Sequence, residues 1–504
     1  MGKNKGIDKK HISGVQYNIS KNNSLKGTLK MRKGETAMNA KQEEEPKSEW
    51  LIVSPDGSIA KAKEFNWVGS ADLKVFYSYE SSGSREVKEA PAHVKIMQQM
   101  ELVDYEPAAD SGNFRWLPKG HLIKRLMERH ASDIVRDYGG MQVETPIMYD
   151  LSHPQLASYL KRFPARQYHL LSGDKKYFLR FAACFGQYLI MHDMGISYSH
   201  LPVRIYELTH YSFRREQAGE LAGLRRLRVF TMPDMHSLCV DVEQTKEEFY
   251  QQYLLCKKWM SDLELNHVMA IRVIDDFFQK NRDFVMRIVK DFGRPVLLEV
   301  WKERFFYFVL KFEFNVIDGQ KKAAALSTVQ IDVENAERFD INYVDKDGKQ
   351  QRPLLLHASI SGSIDRNLYA LLELQARRMQ KGEVAKLPYW LCPTQVRLIP
   401  VADRHFSRCQ EIASKIGARV EIDDRKETVG RKVRDAEVKW VPFVGMVGDK
   451  ELENQTIAVR ERGVSGQKEM KESEFSQILG QLQGDKPFEP LSWPSLLSKQ
   501  PRFR

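Results

Sequence analysis

The chain has 504 residues, 42% of them hydrophobic, which is enough to bury several cores and points to about three domains. A net charge of +11 directs attention to polyanionic partners. No run of about 18 apolar residues is present to cross a bilayer, and the start "MGKNKGIDKKH" lacks an apolar signal core. The five cysteines have no CxxC spacing, which excludes a disulfide framework and points to a reducing cytoplasm.

Residues 1–47 hold 11 Lys and Arg against 5 Asp and Glu and few aromatics, so this tail reads as a disordered basic segment suited to weak contact with nucleic acid. From residue 48 to about 110, short apolar stretches and a Pro-Asp-Gly turn read as a small unit containing strands, with His93 its single histidine and no cysteine. Over 118–138, Leu122, Leu126, Met127 and Ile134 fall at helical spacing, with Pro118 suited to the first turn and Gly139 and Gly140 to the end. The extended "MQVETPIMYD" follows, and Pro146 assigns it to an edge or to pairing across a boundary.

"VRIYELTHYSF" and "LRVFTMPDMHSLCV" flank a loop with Gly219 and Gly223 and read as an antiparallel hairpin. Residues 211–230 carry five arginines. Strand alternation predicts Arg214 and Glu216 on one side of the outgoing arm, and Arg226, Arg228, Phe230, Asp234 and His236 on one side of the return arm, provided that Pro233 makes no bulge. Guanidiniums, an aromatic plate, a carboxylate and an imidazole on one wall suit a nucleotide; a solvated basic loop is the plainer alternative. In "RPLLLHASISGSIDRNLYALLE" an apolar strand bearing His357 leads through Ser361, Gly362 and Ser363 into a helix. Arg366 lies in its first turn, where a cation opposes the helix dipole and calls for an anion. After residue 386, strand-like segments at 394–401, 418–422, 443–448 and 456–461 alternate with helical patterns at 403–416 and 428–439, a small mixed α/β unit.

Phe213-Arg214-Arg215-Glu216 with Arg226 and Phe230 resembles motif 2 of the class II aminoacyl-tRNA synthetases. Gly362 to Arg366 with its helix resembles motif 3, and the helix ending near "MQVETP" resembles motif 1. More narrowly, "AERFDINYVDKDGKQQRPLLLHASISGSIDR" and "VGDKELENQTIAVRERG" are similar to the threonyl-tRNA synthetase family in its archaeal form. The resemblance implies an α+β multidomain chain, with an antiparallel sheet flanked by helices (residues 111–385) followed by a small mixed α/β anticodon-binding domain (residues 386–504), and a homodimer formed through motif 1.

It also implies the site. Arg214 would hold the α-phosphate and the amino-acid carboxylate, Arg226 and Arg366 the outer phosphates, Phe230 and Glu216 the adenine, with Mg2+ accompanying ATP. Cys184, His236 and His357 match three ligands of one Zn2+ per subunit, and Asp234, Gln330 and Ser363 match positions around L-threonine. Lys426, Glu451 and Arg460 match contacts to the anticodon of tRNA(Thr), and Trp440 offers a ring on which an unpaired base could stack. Lys426 and Trp440 depart from bacterial relatives, and so do two further positions: Ala325 replaces a glutamine that helps hold ATP, and Phe308 replaces a tyrosine that covers the substrate. The segment 48–110 is short for the family's hydrolytic editing domain, so mischarged seryl-tRNA is expected to be cleared by a separate trans-editing protein. The alternative, a non-catalytic paralogue acting as an RNA-binding or regulatory module, would be expected to lose a motif arginine or a metal ligand. Arg214, Arg366, Cys184, His236 and His357 are all present.

Overall fold

The computed structural model describes residues 48–82, 89–161, 166–216 and 219–503; the basic tail 1–47 lies outside them. Ten strands form one sheet: β1 Ser48–Val53, β2 Ile59–Lys61, β3 Met141–Gln142, β4 Val203–Phe213, β5 Val229–Cys239, β6 Val268–Ile274, β7 Val296–Trp301, β8 Phe308–Ile317, β9 Ala323–Asp332 and β10 Leu354–Ser359. Their order across the sheet is β2-β1-β7-β6-β8-β9-β10-β5-β4-β3. Pairing is antiparallel except for β6 with β7 and β3 with β4.

One face is apolar and is covered by helices. Helices α1 Ala71–Ser82, α2 Ala92–Gln99, α3 Pro118–Asp137, α4 Cys184–Asp193, α5 Val242–Asp262 and α6 Ile364–Gln380 surround the sheet. Phe249, Tyr253, Cys256, Trp259 and Met260 of α5 are fully buried in the main core with Leu122, Leu126 and Met127 of α3 and Leu368, Leu371 and Leu372 of α6. This is the stripe that helical spacing requires of a helix lying on a sheet. A buried polar link pins two of these helices, where the Trp259 indole donates to Asn367 Oδ1 at 3.0 Å. Helix α3 starts at Pro118 and is followed by Gly139 at φ 90°, matching the sequence reading to within a residue.

The described residues of 48–110 do not form a separate unit. β1 pairs antiparallel with β7 from Ser48 opposite Trp301 to Val53 opposite Val296, so the segment extends the main sheet. Local patterning identified the strand but could not identify a partner so distant in sequence.

The C-terminal part has its own five-stranded sheet: β11 Val396–Pro400, β12 Val420–Ile422, β13 Phe443–Val447, β14 Thr456–Glu461 and β15 Lys468–Lys471, in the order β12-β11-β13-β14-β15. Helices α7 Phe406–Lys415, α8 Val429–Val438 and α9 Glu472–Gln483 accompany it. The four expected strands are present; the fifth strand and α9 escaped the sequence reading. Trp440 is only 8% exposed and belongs to the main core, so it is a packing residue and offers no free ring for a base. Among the described residues no helix is long and apolar enough to cross a membrane.

Glu421 of β12 ties the two parts together. It is fully buried, pairs with Arg397 and with Lys119 of α3 at 3.5 Å, and accepts from the Trp493 indole at 2.9 Å. Burial alone would raise its carboxyl, but Arg397 and Lys119 outweigh burial and hold it down to about 2. A depressed carboxyl stabilises the fold fully above its unfolded value near 4.5 and loses that contribution as pH falls towards 2. Glu421→Gln should therefore be less stable than the parent at pH 7, and its loss of stability between pH 5 and 2 should be shallower. Denaturant titrations of both chains across that range test this.

Candidate nucleotide and metal site

The hairpin forms as expected, β4 against β5, but the ladder ends at Phe213 opposite Val229. Arg214, Glu216, Arg226 and Arg228 therefore lie beyond the strands, and alternation does not sort them. The register also shifts between Phe230 and Met232. The extra residue is on β4, where Tyr211 has φ 57°, so Pro233 makes no bulge and Phe230, Asp234 and His236 keep one side of β5.

The Arg214 guanidinium lies 5.7 Å from the centroid of the Phe230 ring. Arg366, in the first turn of α6, donates to two main-chain carbonyls, Arg225 O at 3.1 Å and Ala325 O at 2.8 Å. Burial, and then the neighbouring Arg214, push its guanidinium down to about 10. Two cations share a cleft, and Arg366 is held by dipoles rather than by a carboxylate, which leaves charge for an anion. Gly362 permits the approach: its φ is +64°, and a Cβ there would sit 2.3 Å from Leu326 O.

The other loop residues differ from expectation. Arg226 donates to Glu216 at 2.9 Å and Glu220 at 2.8 Å, and Arg166 also pairs with Glu216. The Glu216 carboxylate is thus already engaged by guanidiniums. Arg228 turns away to Asp110 at 2.6 Å and to the Glu216 carbonyl. Ser363 is the N-cap of α6, its hydroxyl accepting from Arg366 N–H at 3.3 Å. That role places its hydroxyl in the buried start of the helix.

On the polar face of the sheet, His236 of β5 stands opposite His357 of β10, and His357 opposite Gln330 of β9. Cys184 opens α4 from the same side. Single ligand atoms of Cys184, His236 and His357 all lie within 4.8 Å of one another, and all three residues are buried. Gln187, one turn along α4, accepts from His236 Nδ1 at 2.8 Å. This fixes the tautomer with the lone pair on Nε2. That nitrogen and Asp234 Oδ2 are buried without a hydrogen-bond partner. Burial, then His357, push His236 well below its ordinary value, so the ring is neutral. A sulfur, two imidazoles and an unpartnered lone pair are a donor set for a borderline-soft cation such as Zn2+.

Residues missed in the sequence complete the wall. Tyr307, not Phe308, reaches this pocket, its hydroxyl donating to Gln330 Oε1 at 2.7 Å. The register shift between Phe308 and Leu310 accompanies this exchange, and Phe308 is buried. Behind Asp234, Glu207 stands opposite on β4 and binds Arg180 at 2.6 Å in a buried pair. The i, i+3 spacing of Cys184 and Gln187 was a readable signal; the distant partners were not.

In the C-terminal part, Lys426 is exposed in the bend after β12, and Arg460 of β14 is half-exposed and pairs with Glu437 at 3.0 Å. Arg460, Arg434 and Arg462 line a cavity of about 540 Å³. Glu451 instead accepts from the Gly448 amide at 2.9 Å and caps its own short helix.

A large, mostly antiparallel sheet with paired arginines at a hairpin and at a helix start defines a class II tRNA synthetase core. The family described as tRNA synthetase class II core domain (G, H, P, S and T) matches residues 168–375, and the anticodon binding domain family matches 395–482. The chain is 53% identical to the threonine–tRNA ligase of Pyrococcus horikoshii over 470 residues, 92% of this chain and 75% of that protein. It is 50% identical to the threonine–tRNA ligase of Methanosarcina barkeri over 472 residues, 92% and 74% of the two chains. It belongs to the threonine–tRNA ligase family. Among solved structures, the RNA binding domain of threonyl-tRNA synthetase from Cryptosporidium parvum aligns with a TM-score of 0.68 at 20% identity, covering 78% of this chain and 98% of that one. Prolyl-tRNA synthetase from Giardia lamblia aligns at 0.62, also at 20% identity, over 77% and 78%. Both share the fold.

Proposed function

We propose that this chain activates threonine with ATP and transfers it to tRNA(Thr). The threonine carboxylate attacks the α-phosphorus of ATP to give threonyl-adenylate and pyrophosphate. The terminal ribose hydroxyl of the tRNA then takes the threonyl group and releases AMP. Neither step requires a protein nucleophile, so the site acts by positioning and by neutralising charge. Arg214 holds the α-phosphate and the amino-acid carboxylate, while Phe230 stacks on adenine. Arg366 meets an outer phosphate, and Mg2+ bound with ATP would share the neutralisation. The remaining outer-phosphate charge competes with Glu216 and Glu220 for Arg226, which frees Glu216 for the adenine amino group.

The single observation that carries the reading is the buried Cys184, His236 and His357 cluster on the polar face of a sheet that also carries Phe230. We assign it to Zn2+, with Gln187 as its orienting partner. Cys184, His236 and His357 would hold the ion, which would supply a Lewis acid for an amino acid bearing a hydroxyl. Asp234, with an unpartnered oxygen, accepts the threonine hydroxyl hydrogen, and Gln330 and Tyr307 close the pocket.

Arg460, with Arg434 and Arg462 around the same cavity, is the best candidate for gripping the anticodon, and exposed Lys426 is a further candidate. A homodimer is supported by exposed Met141, Met148 and Tyr211 beyond α3. The described residues of 48–110 offer no hydrolytic site for seryl-tRNA: β1 extends the synthetic core, and His93 is fully buried, so a separate trans-editing protein fits this segment. A cytoplasmic enzyme fits this set of substrates.

Stripping the metal with a chelator should abolish threonine-dependent ATP–pyrophosphate exchange, and Zn2+ should restore it; full exchange by metal-free protein overturns the assignment. Gln187→Leu should weaken zinc affinity about 10–100-fold in a competition titration, because a ligand's orienting partner is lost. Serine, which lacks only a methyl group, should be activated at roughly 10–200-fold below threonine in kcat/KM, and valine at about 10⁴-fold or more below. Purified enzyme should accumulate seryl-tRNA in a deacylation assay; rapid clearance would contradict the trans-editing reading.

A further inference from the structure

His93 lies in the first turn of α2, before the catalytic motifs in sequence, and is fully buried. Three hydrogen bonds converge on it. Its main-chain N–H donates to Glu373 Oε1 of α6 at 2.9 Å, and its ring Nδ1 meets the same oxygen at 2.8 Å. Its Nε2 accepts from the Leu224 amide, in the loop between β4 and β5, at 3.0 Å. The Leu224 donor fixes the tautomer: Nε2 carries the lone pair, so Nδ1 carries the hydrogen and gives it to Glu373.

The imidazole is a two-ended strut between α6 and the arginine-rich loop. The ring also meets Tyr369 of α6 edge to face at 5.0 Å. Tyr369 donates to Asp318 at 3.2 Å, and Asp318 binds Arg225 at 3.0 Å, so the loop is gripped at two successive residues. Gly223 is shaped by this contact, since its φ is +54° and a Cβ would fall 2.3 Å from His93 Nε2. Downstream of the grip are the groups that meet ATP. The Arg225 carbonyl holds Arg366, and Arg226 follows directly.

We propose that His93 is a positioning residue for ATP: by fixing the Leu224–Arg225 backbone against α6, it sets where Arg226 and Arg366 stand, although it touches no substrate. The proposal rests on the reading of this cleft as the ATP site. It explains why a segment that carries no chemistry is built into the core. A small error in the placement of two phosphate-binding cations is costly, because their contribution depends on geometry held before the substrate arrives.

Two conservative variants separate the ends of the strut. His93→Gln keeps an acceptor near the Nε2 position for Leu224. His93→Asn keeps a donor near the Nδ1 position for Glu373 but leaves the loop amide unpaired. In threonine-dependent ATP–pyrophosphate exchange, His93→Asn should raise the KM for ATP about tenfold, with the KM for threonine nearly unchanged, as expected for an unpaired buried donor that displaces the loop. His93→Gln should restore the KM for ATP to within about threefold of the parent. Equal effects of the two variants on both KM values, tracking a fall in Tm, would mean a merely structural histidine and would overturn the proposal. Gly223→Ala approaches from the loop side and keeps the question decidable if a His93 variant fails to fold. It should raise the KM for ATP selectively, and an unchanged value overturns the proposal. Absence of exchange in the parent chain would instead refute the assignment of the reaction.

Discussion

The register of the central sheet fixes where the chemistry can occur. His236, His357 and Gln330 are brought level on β5, β10 and β9 by two antiparallel ladders, and the same row continues through Lys311 of β8 to Arg272 of β6. A slip of one residue in any ladder would turn one of these side chains into the apolar face. The hydrophobic demand of the helix-covered face therefore holds the polar face in alignment. Packing of Trp259, Phe249 and their neighbours on one side secures the donor set on the other.

Electrostatics then distinguish two regions of the cleft. Around the sulfur and imidazoles, burial keeps His236 neutral and leaves a lone pair without a partner. Around the hairpin loop, guanidiniums crowd together: Arg166 and Arg226 converge on Glu216, whereas Arg214 and Arg366 are neighbours of like charge. A soft-donor pocket that also holds the Asp234 carboxylate, beside a surplus of fixed positive charge, suits a small zwitterion next to a polyphosphate.

The hairpin, the α6 start and four of the five strands of the C-terminal sheet were legible in the sequence, because each is encoded by local alternation, glycine and capping residues. The Cys184, His236 and His357 set became legible only through the family resemblance, as the residues are scattered along the chain. What was not legible depended on distant pairing or on departures from regular geometry. β1 finds its partner near residue 300; Tyr307 displaces Phe308 next to a register shift; and Arg228 leaves the expected wall because the ladder stops at Val229. Trp440 has the chemistry of a stacking platform, yet its burial gives it a packing role. Composition cannot distinguish these roles, whereas position in the core does.

The seat of Arg366 bears on one of the departures noted in the sequence. Its guanidinium is gripped by the carbonyl oxygens of Arg225 and Ala325, groups that every amino acid supplies. Residue 325 can thus exchange a long amide for a methyl group and still present the same acceptor, so long as β9 keeps its course. The side chain there can change while the cation stays anchored, and the tolerance of this corner of the cleft is a property of its backbone.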